Sequence, residues 1–189
     1  PEADEKICIM LNKPRGIVCT ANDEKGRRNV TDLCREVTDE NGKRLRLYPV
    51  GRLDMDSDGL LLLTNDGDLA LKLTHPRHEI PKIYHVTVSG EVSAEQLSKL
   101  CAPMELDGYE ILPVKSEVIS RDGRSTTLEM TLYEGRNRQI RKMCERASLE
   151  VSRLTRVAIG EVKLGSLPSG RWRRLTAREV QLLSPQTKG

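Results

Sequence analysis

The sequence predicts an α+β protein, in which a mixed but mainly antiparallel sheet is flanked by helices. Three observations predict it. Short apolar runs of strand length alternate with amphipathic segments of helical period. No regular βαβ unit recurs, so a parallel doubly wound sheet is not indicated. The turn between the two strongest neighbouring strand candidates, Asp122-Gly123, is a hairpin turn.

In order along the chain, Ile7 to Leu11 reads as a strand broken by Asn12-Lys13-Pro14-Arg15-Gly16, and Ile17 to Thr20 as a second strand. Val30 to Val37 is a short helix capped by Asn29, and Asn41-Gly42 marks a loop tip. Leu60 to Thr64 is a buried strand because its apolar run is continuous. Asn65-Asp66-Gly67 turns into a helix from Asp68 to Leu73 that stops before Pro76. Lys82 to Ser89 alternates, with Tyr84, Val86 and Val88 on one face. Ser93 to Cys101 is a helix whose Ser93 and Gln96 form a capping box. Strands at Pro113–Ser120 and Thr126–Tyr133 precede a helix from Asn137 to Ala147. Val151–Val157, Glu161–Leu164 and Trp172–Leu175 are short strands, and Thr176 caps a last helix to Leu183 with Glu179 three residues on. Residues 1–189 suit one catalytic-size domain or two tightly joined lobes.

Composition narrows the function classes. Hydrophobic residues are 37% and charged residues 31%, a globular profile, and no apolar run approaches the roughly 20 residues of a membrane helix. Five cysteines, odd in number and without a CxxC pair, speak against a disulfide framework or zinc knuckle and for reduced thiols in a cytoplasm. Between Glu134 and Arg178 there are 12 Lys and Arg against 4 acids, a local +8, while the rest of the chain carries 19 against 24. That asymmetry suggests a basic face for a polyanion, although a solvated surface would look the same. Four Tyr, one Trp and no Phe are too few for a sheet that reads single strands by stacking. RNA, if bound, is then held through its phosphates.

The densest polar segment is Gly51-Arg52-Leu53-Asp54-Met55-Asp56-Ser57-Asp58-Gly59, set between apolar stretches. Asp54-x-Asp56-x-Asp58-Gly59 matches the start of a calcium-binding EF-hand loop. Its twelfth position would be Asn65 rather than Glu, its ninth Leu62, and Pro49 and Gly51 spoil an entering helix, so no metal is expected. His75 and His78 are separated by Pro76 and lack a clear third ligand.

A second reading of the same segment is a resemblance. Gly51-Arg52-Leu53-Asp54, followed by Ser57, Gly59 and Leu60-Leu61-Leu62-Leu63-Thr64-Asn65, resembles the signature of the RsuA-type bacterial pseudouridine synthases. Lys13-Pro14-x-Gly16, Lys82-x-Tyr84-x-Val86, the run from Glu134 to Met143, Leu154-x-Arg156 and Gly170-x-Trp172-Arg173 agree with it, in the family's order. Lys142-Met143-Cys144-Glu145 is closest to the large-subunit branch of that family, the RluF and RluB type. The family also usually carries an N-terminal S4 RNA-binding domain, which these residues do not include.

The resemblance implies the pseudouridine synthase fold with an active-site cleft across the sheet. It also implies isomerisation of a specific uridine in ribosomal RNA, most readily large-subunit rRNA. The uridine N1–C1′ bond breaks, the base turns, and it rejoins through C5. No redox change or hydrolysis occurs, so no cofactor is expected. Asp54 is implied as the nucleophile, whether by attack at C1′ or through a glycal. Arg136 is implied as its cationic partner, though as part of the basic face it could instead hold phosphate. Tyr84 is implied to lie against the extruded base and to assist proton removal at C5, while Val86 and Val88 on its side also allow a core role. Arg52 would hold the flipped nucleotide or brace the loop, and Ile140 would pack on the pocket wall. Lys82, Arg138, Arg141, Lys142 and Arg156 are candidate RNA contacts. The expected partner is rRNA, with no membrane, and the expected oligomeric state is a monomer. Alternatives are an idle RNA-binding or ribosome-assembly module of the same fold, or a synthase acting on small-subunit rRNA or tRNA.

Overall fold

The structure is a computed structural model and describes residues 5–20, 25–75, 80–134 and 138–183. In chain order, the first elements are β1 (Cys8–Lys13), a 3₁₀ turn (Val30–Cys34), β2 (Tyr48–Val50), β3 (Asp58–Thr64) and α1 (Gly67–Thr74). Next come β4 (Lys82–Ser89), α2 (Ala94–Cys101), β5 (Glu105–Leu106), β6 (Tyr109–Glu110), β7 (Lys115–Arg121) and β8 (Ser125–Leu132). The last are α3 (Gln139–Arg146), β9 (Val151–Ile159), β10 (Val162–Lys163), β11 (Trp172–Arg174) and α4 (Ala177–Leu183). The chain divides into two units, Pro1–His78 with Glu161–Gly189, and Glu79–Gly160.

In the first unit, β1 is central. It pairs antiparallel with β3 from Cys8↔Thr64 to Lys13↔Gly59 and with β11 from Ile9↔Arg174 to Leu11↔Trp172. All seven residues of β3 are buried, which is why its sequence reads as an unbroken apolar run rather than alternating. Ile9, Met10, Leu11 and Leu60 to Leu63 form the heart of this core. Each such side chain contributes about 1.5–3 kcal/mol by leaving water. The side chain of Asn65 fastens the incoming end of β1, accepting from the Ile7 amide at 2.9 Å and donating to the Glu5 carbonyl at 2.7 Å. Asp66 then caps α1 by accepting from the Asp68 and Leu69 amides.

In the second unit the order is β9-β4-β8-β7, all antiparallel. Val86, Val88, Leu128, Met130 and Leu154 face a core completed by Leu100 of α2 and by Ile140, Met143 and Cys144 of α3. The capping box of α2 is present, and Gln96 also donates to the Ala147 carbonyl at 3.1 Å, tying α2 to the end of α3.

Three local expectations are corrected. Ile17 to Thr20 is not a strand; it makes a single bridge, Val18↔Asn29. Both edges of β1 are already taken by β3 and β11, so the segment has no edge there to join. In place of the α-helix expected from Val30 to Val37 there is a 3₁₀ turn over Val30–Cys34, closed by Asn29 and Asp32 and opening on β-branched Val30 and Thr31. The helix expected from Asn137 begins at Gln139 in the described residues, behind Arg138 at φ 52°. Not anticipated is the hairpin β5–β6, whose two turn residues, Asp107 and Gly108, both have positive φ. Asp-Gly is the sequence signal for such a turn.

The last helix is held by a compact charge network. Arg173 grips Glu179 with both guanidinium nitrogens at 2.7 and 2.8 Å, while Thr176 and Glu179 exchange capping bonds at 3.0 and 3.1 Å. The Arg173 hydrogen bonds hold the Glu179 carboxyl well below the usual range, at about 2 rather than 4.5. A carboxyl lowered in the folded state stabilises above its unfolded pKa, and that contribution is lost as pH falls through the folded value. Glu179→Gln is therefore expected to lower stability at pH 7 by about 1 kcal/mol and to flatten the stability profile between pH 4.5 and 2. Urea denaturation across that window checks it; parallel profiles for the two proteins would remove Glu179 from the acid-labile groups.

Candidate active site

β2 ends at Val50, and Gly51 at φ +75° turns the chain into the polar loop. That left-handed conformation is open to glycine and strained for most other residues. Leu53 is buried and anchors the loop, leaving Arg52 exposed and Asp54 half-buried. The Ser57 amide donates to the Asp54 carbonyl at 3.0 Å, closing a tight turn over Met55 and Asp56. The chain then enters β3 at Asp58, which is itself buried. Asp54 thus sits on a short loop held at both ends by strands, the placement expected of a reactive side chain on a rigid base.

Beneath this loop lies a residue that was read only as part of a motif. Lys13 is 0% exposed at the end of β1. Its ammonium donates to the Pro14 carbonyl and to the Ser57 carbonyl, each at 2.9 Å. Burial pushes its pKa down; Cys19, Asp58, Asp54 and Asp56 oppose the shift. Three loop aspartates therefore act on one buried cation, which holds the loop by hydrogen bonding to the Ser57 carbonyl. The available signal was a lysine ending an otherwise apolar strand.

In the second unit, Tyr84 is half-buried and packs against the core cluster that includes Ile140. Its strand neighbours are Met130 on β8 and Arg156 on β9. The β4–β9 register shifts between Ile83 and Tyr84, the kind of irregularity that re-aims a side chain. Arg156 is buried. The pKa of Lys82 is lowered first by burial and then by Arg156, so two cations press on each other near Tyr84. Arg138 is exposed in a left-handed conformation at the start of α3, without a side-chain cap. Arg141 is half-buried, and Lys142 forms an ion pair with Asp107 of the β5–β6 hairpin. Arg136 and His78 lie outside the described residues.

Burial pushes the thiols of Cys8, Cys34 and Cys144 up to about 12, so these three are inert packing residues. Asp58 begins a strand and Leu60 to Leu63 continue it, which is not the geometry of a calcium loop leading to a helix. Among the described residues, no group of three His, Cys, Asp or Glu could hold a metal ion, and no helix is long and apolar enough to cross a membrane.

Comparison with known proteins places the chain in a family. The family profile for RNA pseudouridylate synthase matches residues 7–146, and the chain belongs to that family of RNA-isomerising enzymes. Among curated relatives it is 41% identical to the ribosomal large subunit pseudouridine synthase B of Bacillus subtilis over 184 residues, covering 96% of this chain and 73% of that protein. It is 36% identical to the ribosomal large subunit pseudouridine synthase B of Yersinia pestis, covering 96% of this chain and 57% of the relative. Among solved structures, a pseudouridylate synthase crystal structure superposes with a TM-score of 0.80 at 31% identity, covering 96% of this chain and 75% of that one. The pseudouridine synthase fold expected from the sequence is therefore the observed one.

The Lys13 arrangement generates a stability test. Lys13→Met keeps the aliphatic stem and removes the charge, leaving the Ser57 carbonyl and three aspartates without it. The expected loss is about 1.5–3 kcal/mol, the scale of a buried hydrogen bond to a charged group. Urea denaturation measures it, and a loss within roughly 0.5 kcal/mol, the usual range for surface changes, would show that the ammonium does not hold the loop.

Proposed function

We propose that this protein isomerises a specific uridine of ribosomal RNA to pseudouridine, with large-subunit rRNA as its substrate and Asp54 as nucleophile. The observation that carries the proposal is Asp54 itself. It stands half-buried on a loop anchored by Leu53 and by Lys13, in a chain that belongs to the RNA pseudouridylate synthase family. The large-subunit assignment is supported by the names of the relatives from Bacillus subtilis and Yersinia pestis. Cytoplasmic action is supported by five free cysteines, three of them buried.

The chemistry requires an ionised carboxylate that can act on the ribose, by attack at C1′ or by the glycal route. The buried Lys13 ammonium holds the Asp54 loop through the Ser57 carbonyl. The N1–C1′ bond breaks, the base turns, a C5–C1′ bond forms, the C5 proton is lost, and N1 gains one. The oxidation state is unchanged, so the residues need no cofactor. Tyr84 is assigned to the extruded base, with its hydroxyl available to help remove the C5 proton. Lys82, Arg156, Arg138 and Arg141 are assigned to RNA phosphates. Arg52 is assigned to the flipped nucleotide, Ile140 to the apolar wall, and Arg136 to the Asp54 carboxylate.

Asp54→Asn is expected to abolish tritium release from [5-³H]uridine-labelled large-subunit rRNA while leaving the melting temperature and RNA affinity near wild type. Turnover by that variant would remove Asp54 from the chemistry. Release by the wild type from small-subunit rRNA or tRNA alone would overturn the substrate assignment. Tyr84→Phe keeps the ring and removes the hydroxyl. It is expected to lower kcat by roughly 10²-fold or more, the scale of general acid–base assistance, with KM little changed. An unchanged kcat would confine Tyr84 to packing.

A further inference from the structure

The segment from Lys13 to Arg28 is fastened to the Asp54 loop at several points. Gly16, at φ +84°, donates its amide to the Met55 carbonyl at 2.7 Å. The Lys13 ammonium reaches the Ser57 carbonyl at 2.9 Å, and the Cys19 thiol lies 3.8 Å from the Gly51 carbonyl. A looser contact joins an Arg27 guanidinium nitrogen to the Met55 sulfur at 3.9 Å. The segment is also closed on itself. The Val18 amide donates to the Arg28 carbonyl at 3.1 Å, and the Val30 amide donates to the Val18 carbonyl at 3.0 Å. Ile17 and Val30 are buried and pin its base.

What this framework presents to solvent is positive charge. Arg15, Lys25, Arg27 and Arg28 are all exposed. Over residues 15–28 the sequence has four Lys and Arg against Asp23 and Glu24, a net +2. The ties to the Asp54 loop run mainly through backbone groups, Lys13 and Cys19. Arg15 adjoins Gly16, whose amide holds the Met55 carbonyl, and Lys25 lies two residues before Arg27, which touches the Met55 sulfur. Nor does the protein's overall balance account for them, since this unit lies mostly outside the basic stretch from Glu134 to Arg178. Exposed guanidinium and ammonium groups on a fixed base suit a phosphodiester backbone, which such groups position without reading sequence.

We propose that Arg15, Lys25, Arg27 and Arg28 form a phosphate-gripping rim for the RNA strand that flanks the target uridine, separate from the cations of α3 and β9. The inference rests on the synthase reading above and adds to it the surface that seats the substrate backbone. The rim binds by charge, so its contribution falls as salt rises.

The test compares wild type, Arg15→Ala/Lys25→Ala, and a control pair on the β7–β8 turn, Arg121→Ala/Arg124→Ala, which are also exposed cations. Each is measured by filter binding to in vitro transcribed large-subunit rRNA across a KCl series, by tritium release, and by melting temperature. The rim pair is expected to make the slope of log K against log salt shallower by roughly 1.4, at about 0.7 per phosphate contact on single strands. Its kcat/KM should fall roughly tenfold, with the loss in KM. The control pair should match wild type, and all three should melt alike. Arg15→Gln/Lys25→Gln replaces the first variant if alanines lower the melting temperature. An unchanged slope, an equal loss in the control pair, or a loss confined to kcat overturns the rim. Wild-type turnover with an indifferent rim variant would sink the rim and spare the synthase reading. A rim-dependent salt slope without any wild-type turnover would do the reverse.

Discussion

One ammonium group, that of Lys13, meets the demands of two kinds of neighbour at once. It is fully buried, it satisfies the carbonyls of Pro14 and Ser57, and three aspartates of one short loop lie in its field. An unpaired charge in that position would be expelled or neutralised. The carboxylates around it would in turn repel one another without it. The loop and the end of β1 therefore specify each other, and the position of Asp54 follows from a strand that reaches it from the far side of the core sequence. Leu53 adds an apolar anchor and Gly51 the backbone turn. The reactive residue is consequently set by packing and charge together rather than by the loop's own preferences.

The second unit uses a related device with the opposite sign. Burial and the charge of Arg156 lower the pKa of Lys82, beside a strand irregularity at Tyr84. Most of that sheet is conventional: alternating residues of β4 and β8 fill the core, and helices α2 and α3 are joined by Gln96. Two departures from convention fall at residues assigned to substrate: the register shift at Tyr84 and the left-handed Arg138 at the start of α3.

Much of this was legible along the chain. Lys82–Ser89 was delimited correctly because its alternation is strict and turn residues bound it. The helix caps at Ser93, Thr176 and Asn29 were readable because capping is a local interaction over three residues. The strand expected at Ile17–Thr20 failed for a tertiary reason: β1 has no free edge to offer it. The 3₁₀ turn at Val30–Cys34 and the hairpin at Glu105–Glu110 were matters of turn chemistry, which a periodicity of apolar residues does not report.

For the site, the sequence by itself determined which side chains are available and, through ordered motifs, what family chemistry they resemble. Asp54, Tyr84 and the basic residues near α3 were visible as residue types at characteristic spacings. Only the tertiary structure decided that Lys13 holds the Asp54 loop through Ser57, that Lys142 is engaged by Asp107, and that Gly16 and Cys19 are tied to the same loop. The physical reason is range. Periodicity, capping and turn signals act within a few residues, whereas burial and electrostatic contact join groups some forty residues apart, as Lys13 and Ser57 are, and exist only once the sheet has brought them together.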